Sequence, residues 1–138
     1  MWHRLKNFVL SLKTYKALSP DLKVRQRVNH ALRCRPALNL DEWFETFYKG
    51  RGIAYPVATF VYHRLSQYSG LEFGRVLPSD RLNEDLKWTR VCWFDWELSL
   101  CDDFYGQFKV DISDRLEELQ ASTVEDLVRL LDQSLNLS

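Results

Sequence analysis

The strongest constraint on the fold is the spacing of the apolar residues, which recur at helical intervals along most of the chain. Residues 54–68 show the pattern clearly, with a single stripe formed by Val57, Phe60, Val61, Leu65 and Tyr68. Few segments alternate with a period of two, which is the pattern of a half-buried strand. The sequence therefore predicts an all-α fold without a sheet.

Capping and turn residues divide this pattern into helices. Residues 19–21, Ser-Pro-Asp, predict a helix with the serine as N-cap and the proline at the first helical position, running to about Cys34. Asn39 or Asp41 is expected to cap a short helix, which the Gly-Arg-Gly tripeptide 50–52 ends.

Three further helices are predicted in the second half of the chain. A continuous, richly apolar helix is expected from about Thr89 to Gln107, with Tyr105 on one of its two apolar stripes. A short helix near Arg115–Leu119 follows. Residues 122–125, Ser-Thr-Val-Glu, read as a capping box before a final amphipathic helix.

Charge is distributed unevenly although the formal net charge is zero. Residues 1–35 carry nine Lys and Arg against a single acid, Asp21, and the remainder carries ten bases and eighteen acids. The tripeptide 50–52 is the most linker-like point of the chain. We therefore expect a basic, aromatic, helical N-terminal extension over residues 1–50 and a helical domain over residues 53–138.

The N-terminal segment has its own amphipathic pattern. One face of the predicted helix over residues 2–18 carries Trp2, Leu5, Phe8 and Leu12. Basic helices of this kind pack on a protein core, bind a partner or lie on an anionic membrane surface. Basic residues 23–35 also offer contacts to nucleic-acid phosphates, but their scatter around a helix and the pI near 6.8 argue against nucleic acid.

Cysteine usage and hydropathy bear on the compartment. Cys34, Cys92 and Cys101 are odd in number and form no Cys-x-x-Cys pair, which is typical of a reducing compartment. No apolar run reaches the length of a membrane span, and three lysines, at positions 6, 13 and 16, interrupt any signal-peptide core. The expected location is cytoplasmic, with peripheral membrane contact as the alternative.

The sequence also lacks the patterns of common catalytic and metal sites. His3, His30 and His63 lie in different predicted helices without ligand spacing. No acid pair stands out as a general acid and base, and no glycine-rich phosphate loop occurs. Cys92 and Cys101 lie in apolar surroundings, as core cysteines do. We therefore expect a non-enzymatic protein without a metal.

Residues 53–136 carry a series of short motifs in a fixed order. They are Gly70, Val76, Pro78, Asp80 and Leu82 in the loop, Asp85 and Leu86 followed by Lys87, then Phe108, Ile112, Thr123 and Val124. Their order and spacing resemble those of acyl carrier proteins, in which a Gly stands at the position of Lys87. The resemblance implies an acyl-carrier-like four-helix bundle with residues 1–50 as a helical addition.

The chain departs from this family at the serine that carries phosphopantetheine. Counting forward from the loop places that serine at Arg90, and counting backward from the second helix places it at Phe94. The two counts differ by about one helical turn, so the chain holds an insertion there. Neither residue can be phosphopantetheinylated, and the cofactor is not expected. Thr89 and Ser99 are the only hydroxyls nearby.

The resemblance still implies a protein-docking surface on the second helix, although the attachment serine is missing. The family's second helix is acidic and binds basic patches on partner enzymes. The corresponding residues here are Trp93, Phe94, Asp95, Trp96, Glu97, Asp102 and Asp103. Acids alone also suit a solvated helix face, but the tryptophans are typical of interface hot spots. We expect a protein-interaction module: an adaptor, assembly or regulatory factor. The alternatives are an atypical carrier using Thr89 or Ser99, and a membrane or nucleic-acid binder acting through residues 1–35.

Overall fold

The computed structural model describes residues 19–117 and 123–136. Its helices are α1 (Leu22–Leu32), α2 (Leu40–Trp43), α3 (Tyr55–Ser69), α4 (Trp88–Val91), α5 (Trp96–Phe108), α6 (Ser113–Glu117) and α7 (Val124–Asn136). A π-helical turn over Phe44–Tyr48 and 3₁₀ turns over Lys49–Arg51 and Phe73–Arg75 complete the set. No strand forms within these ranges, and Arg81 and Thr123 make one isolated antiparallel bridge. The all-α prediction is confirmed.

Helix α1 begins later than predicted. Asp21, and not Ser19, is the N-cap, because its carboxylate accepts hydrogen bonds from the amides of Lys23 and Val24 at 3.1 and 3.2 Å. A carboxylate that bonds two otherwise unsatisfied helix amides fixes the start of the helix at the next residue. Helix α1 ends at Leu32, two residues before the predicted end at about Cys34.

The predictions for the two following helices are confirmed. Asn39 caps α2 in a reciprocal box, in which Asn39 Oδ1 accepts from the Glu42 amide at 2.9 Å and Glu42 Oε1 accepts from the Asn39 amide at 3.0 Å. Helix α3 ends at Gly70, which is left-handed with φ of 70°. A Cβ atom there would lie 2.5 Å from Cδ of Arg25, so backbone conformation and close packing both favour glycine.

The prediction of one continuous helix from Thr89 to Gln107 is wrong. The chain forms α4, breaks over residues 92–95 and starts again as α5. The break has a backbone cause: the carbonyl of Arg90 accepts from the Asp21 amide at 2.8 Å, and that of Val91 accepts from Arg25 Nη2 at 2.6 Å. An uninterrupted helix would use both carbonyls for its own next turn.

The final helix also starts with a different cap. Thr123 Oγ1 accepts from the amide of Asp126, and Asp126 Oδ2 accepts from the amide of Thr123, both at 3.1 Å. The capping box is thus one residue later than the predicted Ser122–Glu125 box, and Ser122 lies outside the described residues. Helix α6 begins two residues before its predicted start.

Residues before and after the tripeptide 50–52 belong to one hydrophobic core. Val24, Leu32 and Trp43 belong to the same buried cluster as Phe104 and Leu131. Arg35 adds a bidentate ion pair, with its two terminal nitrogens 2.7 and 3.0 Å from the oxygens of the buried Asp80. Residues 21–51 therefore pack against the helices that follow, and the tripeptide is a turn beside this shared core.

Of the described helices, none is both long and apolar enough to cross a bilayer. The amphipathic stripe predicted at Trp2, Leu5, Phe8 and Leu12 lies outside the described residues. Its alternatives, packing on the core, a partner or a membrane, stay predictions.

Candidate interaction surface

The break between α4 and α5 places an aromatic segment at the surface. Trp93 is 39% exposed, and Phe94 and Asp95 are half-buried. Helix α5 then continues from this segment, with Asp102 and Tyr105 exposed on later turns. Asp95, Ser99, Asp102 and Tyr105 follow one another at intervals of four, three and three residues, which places them on one side of a helix. We call Trp93 with these four residues the α5 surface.

Trp96 is held differently from Trp93. It is half-buried, and its ring meets the buried ring of Trp88 edge-on, with centroids 5.7 Å apart and planes at 89°. Trp88 in turn packs edge-on against Phe73 at 6.2 Å. This row of rings fixes the start of α5 to the core and makes Trp96 chiefly a structural residue.

The predicted acidic residues do not all face the same way. Asp103 lies on the side of α5 next to α3, where its carboxylate accepts from the Tyr68 hydroxyl at 2.5 Å and lies 3.8 Å from Arg64. Burial and the hydrogen bond to Asp103 raise the pKa of Tyr68. Asp103 therefore joins two helices and is not part of the α5 surface. Glu97 is also set apart, because it lines a cleft with Trp88 and Trp96.

A shallow cavity of about 200 Å³ lies at the far end of the α5 surface. It is lined by Cys101, Asp102, Tyr105 and Asp111. The hydroxyl and amide of Ser113 donate to Asp111 at 2.7 and 2.9 Å and hold the pKa of that carboxyl below its usual value. Two carboxylates beside an aromatic ring form a site suited to a basic side chain.

Sequence reasoning missed Tyr105 as a surface residue. Its position on an apolar stripe predicts burial, yet it is 54% exposed, and Lys109 Nζ lies 5.8 Å from the centre of its ring. Leu98 and Cys101 lie on the same stripe within α5 and are buried, so the stripe predicts burial correctly at these positions and wrongly at Tyr105.

The two positions that correspond to the carrier serine lie in different environments. The Arg90 side chain is exposed and pairs with Asp21 at 3.3 Å, and Phe94 is half-buried in the break. Of the two hydroxyl candidates, Thr89 is exposed at the start of α4, and Ser99 is half-buried on the α5 surface. The start of α1 thus lies directly beside the Arg90 position.

The described part of the chain contains no metal-binding cluster, and two of its three cysteines are buried. Cys92 and Cys101 are buried and Cys34 is exposed, and burial raises the pKa of the Cys92 thiol, which disfavours the reactive thiolate. Within residues 19–117 and 123–136, no three His, Cys, Asp or Glu side chains are placed to hold a metal ion. His3 lies outside these ranges.

Comparison of the chain with protein-family models, with curated proteins and with solved structures gives no match. Any function assigned to it must therefore be argued from its own surfaces.

Proposed function

We propose that this chain is a non-catalytic protein-interaction module, an adaptor, assembly or regulatory factor, that binds its partner through the α5 surface. The observation that carries the proposal is Trp93, which is 39% exposed in the break between α4 and α5, two residues before Asp95. A tryptophan at the surface loses apolar contact with water when a partner covers it, and such residues dominate interface energetics.

The contacts that hold α5 against the core support the same function. Trp96 is anchored on Trp88, and Asp103 accepts a hydrogen bond from Tyr68, so the start and middle of α5 are tied to the core. A surface that is already ordered loses little conformational freedom on binding. The α5 surface is thus presented on a fixed helix.

The charge of the surface indicates the chemistry of the partner. Asp95 and Asp102 lie on one side of α5, and the ionised Asp111 adds a third carboxylate beside Tyr105. A partner patch that carries Arg or Lys would complement these acids and favour correct docking. We therefore propose a basic protein surface as the binding partner.

The resemblance to acyl carrier proteins is consistent with this proposal. From α3 onward the chain forms a long helix, a long loop, a second helix, a short helix and a final helix. Lys87, at the position of the family's Gly, is left-handed with φ of 55°, a conformation that glycine adopts readily. We propose a carrier-like bundle in which a separate turn, α4, has been added before the second helix.

The proposal is tested by substituting Trp93 and by comparing the loss of binding with that caused by substituting an exposed apolar residue elsewhere. Trp93→Ala is expected to weaken partner binding by at least about 30-fold, the loss typical of an interface hot spot. Asp102→Lys is expected to weaken it as well, because it reverses one charge. Leu22→Ala, on an apolar side chain of α1 that is 66% exposed, is the control and should bind normally.

Native-host co-purification followed by mass spectrometry identifies the partner, and titration calorimetry with that purified partner measures the affinities. Equal binding by wild type, Trp93→Ala and Asp102→Lys contradicts the proposal. Trp96→Ala is a poorer probe, because it removes the ring packed on Trp88 and disturbs the fold as well. Intact mass of the co-purified chain tests the carrier alternative, since a phosphopantetheine adduct on Thr89 or Ser99 would support a carrier.

A further inference from the structure

Lys87 has a backbone conformation that its residue type does not favour. With φ of 55° and ψ of 44° it is left-handed and immediately precedes α4. Among the described non-glycine residues, only Lys109 shares a positive φ, and Lys109 ends α5, a position where left-handed residues are common. At the start of a helix the conformation has no such role, and a glycine would adopt it without strain. The lysine therefore carries a local conformational cost that a glycine would avoid.

The Lys87 side chain lines a cleft between α1 and the start of α4. The cleft has a volume of about 370 Å³, and the α1 residues Val24, Val28 and Ala31 form its apolar side. Arg27, also from α1, and Arg90 line it with Lys87. An apolar surface with a few charged groups from two elements is the usual composition of a small-ligand site.

The charges in the cleft are not balanced. The carboxylate of Asp85, which also lines it, is engaged by Arg81, with the Arg81 amide 2.8 Å and Arg81 Nη2 3.1 Å from its oxygens. Arg90 is paired with Asp21 at 3.3 Å. In the described part of the chain, the side chains of Arg27 and Lys87 make neither an ion pair nor a hydrogen bond. The lining therefore carries three cations against the single carboxylate of Asp85, and neither Arg27 nor Lys87 is paired with an acid.

We propose that this cleft binds a small organic phosphate, with the phosphate between Arg27 and Lys87 and the apolar part of the molecule against Val24, Val28 and Ala31. A guanidinium supplies directed hydrogen bonds to phosphate oxygens, and an ammonium adds a compact positive charge. The apolar side favours a phosphate ester over inorganic phosphate. The site includes no residue of the α5 surface, so it is independent of the protein-interaction proposal.

The probe for this site is hexyl phosphate, compared with inorganic phosphate and hexanol. Titration of the full chain, followed by amide chemical shifts in NMR, should show saturable shifts at Val28, Ala31 and Lys87 with hexyl phosphate. Inorganic phosphate is expected to bind about tenfold or more weakly, because it buries no methylene groups. Hexanol should bind weakly as well, because it lacks the charge.

Lys87→Gly distinguishes the effect of the lysine side chain on binding from the effect of the left-handed backbone, because glycine adopts that backbone conformation without a side chain. It should weaken hexyl phosphate binding about tenfold or more, since one charge-assisted contact is lost, and should leave the melting temperature equal or higher. Lys109→Gly is the matched control, because it makes the same exchange at the other left-handed lysine and should leave binding unchanged. Arg27→Gln, at an exposed position, should weaken binding without affecting folding.

Three results would overturn the proposal. The first is equal hexyl phosphate binding by wild type, Lys87→Gly and Arg27→Gln. The second is equal affinity for hexyl and inorganic phosphate without shifts at Val28 and Ala31, which would show only general attraction to a basic surface. The third is binding to vesicles that contain phosphatidic acid with none to soluble hexyl phosphate.

Discussion

Two segments of the chain share the order Trp-Phe-acid, but their tryptophans lie in opposite environments. Trp43, in Trp43-Phe44-Glu45, is fully buried, and its Nε1 donates to the Val76 carbonyl at 3.0 Å. Trp93, in Trp93-Phe94-Asp95, is 39% exposed. The difference shows that the local residue order does not determine burial. The first segment continues from a capped helix into the core, whereas the second occupies the break between α4 and α5.

The largest expected effect is a contrast in stability between the two tryptophans. Trp43→Ala should lower the free energy of unfolding by about 3–5 kcal/mol, because it opens a cavity in the core and leaves the Val76 carbonyl without its donor. Trp93→Ala should lower it by less than about 1 kcal/mol. Urea unfolding followed by circular dichroism measures both, and similar losses would contradict the assignment of Trp93 to a binding surface.

Some features with a local cause could be predicted from the sequence, although the caps at Asp21 and Thr123, which are equally local, were predicted one or two residues too early. The capping box at Asn39 and Glu42 involves residues three apart, and Gly70 ends α3 through its own backbone freedom. The helical spacing in residues 54–68 likewise depends on a single segment. For these elements the sequence contains the whole physical cause within one or two turns.

Features caused by distant residues could not be predicted. The break at residues 92–95 arises because Asp21 and Arg25 take the carbonyls of Arg90 and Val91, across separations of more than sixty positions. The inward position of Asp103 follows from its contacts with Tyr68 and Arg64 of α3. Of the residues predicted for the interaction surface, only Trp93, Asp95 and Asp102 belong to the α5 surface, and the cleft lined by Lys87 was not predicted.

A second prediction tests whether α1 produces the break that exposes Trp93. Arg25→Ala removes the donor to the Val91 carbonyl and should lower the free energy of unfolding by about 1.5–3 kcal/mol, the range for a charged hydrogen bond. Arg27→Ala, two residues later on the same helix, removes an exposed side chain and should change it by less than about 0.5 kcal/mol.

The two arginine variants should also differ in backbone dynamics. With the Val91 carbonyl released, amide hydrogen exchange of residues 92–95 should be faster in Arg25→Ala and unchanged in Arg27→Ala. If exchange in this segment is the same in both variants, the break does not depend on the contact from α1.

The smallest expected effect has the opposite sign and compares two tyrosines, one from each region. Tyr48, in the segment that follows Trp43, is fully buried, and its hydroxyl has no hydrogen-bond partner among the described residues. Burial also raises the pKa of this phenol, as expected for a group removed from water. Tyr48→Phe should therefore raise the free energy of unfolding by about 1 kcal/mol, because it removes a desolvated hydroxyl and keeps the ring.

Tyr105→Phe is the matched exchange on the α5 surface and should leave stability unchanged within about 0.5 kcal/mol, because its hydroxyl stays in water in both states. A loss of stability in Tyr48→Phe would show that the buried hydroxyl is satisfied in solution. The segment around Trp43 would then contain a second buried polar contact besides the hydrogen bond from Trp43 Nε1 to the Val76 carbonyl. A gain would mean that the Tyr48 hydroxyl is unsatisfied and that its ring contributes by packing alone.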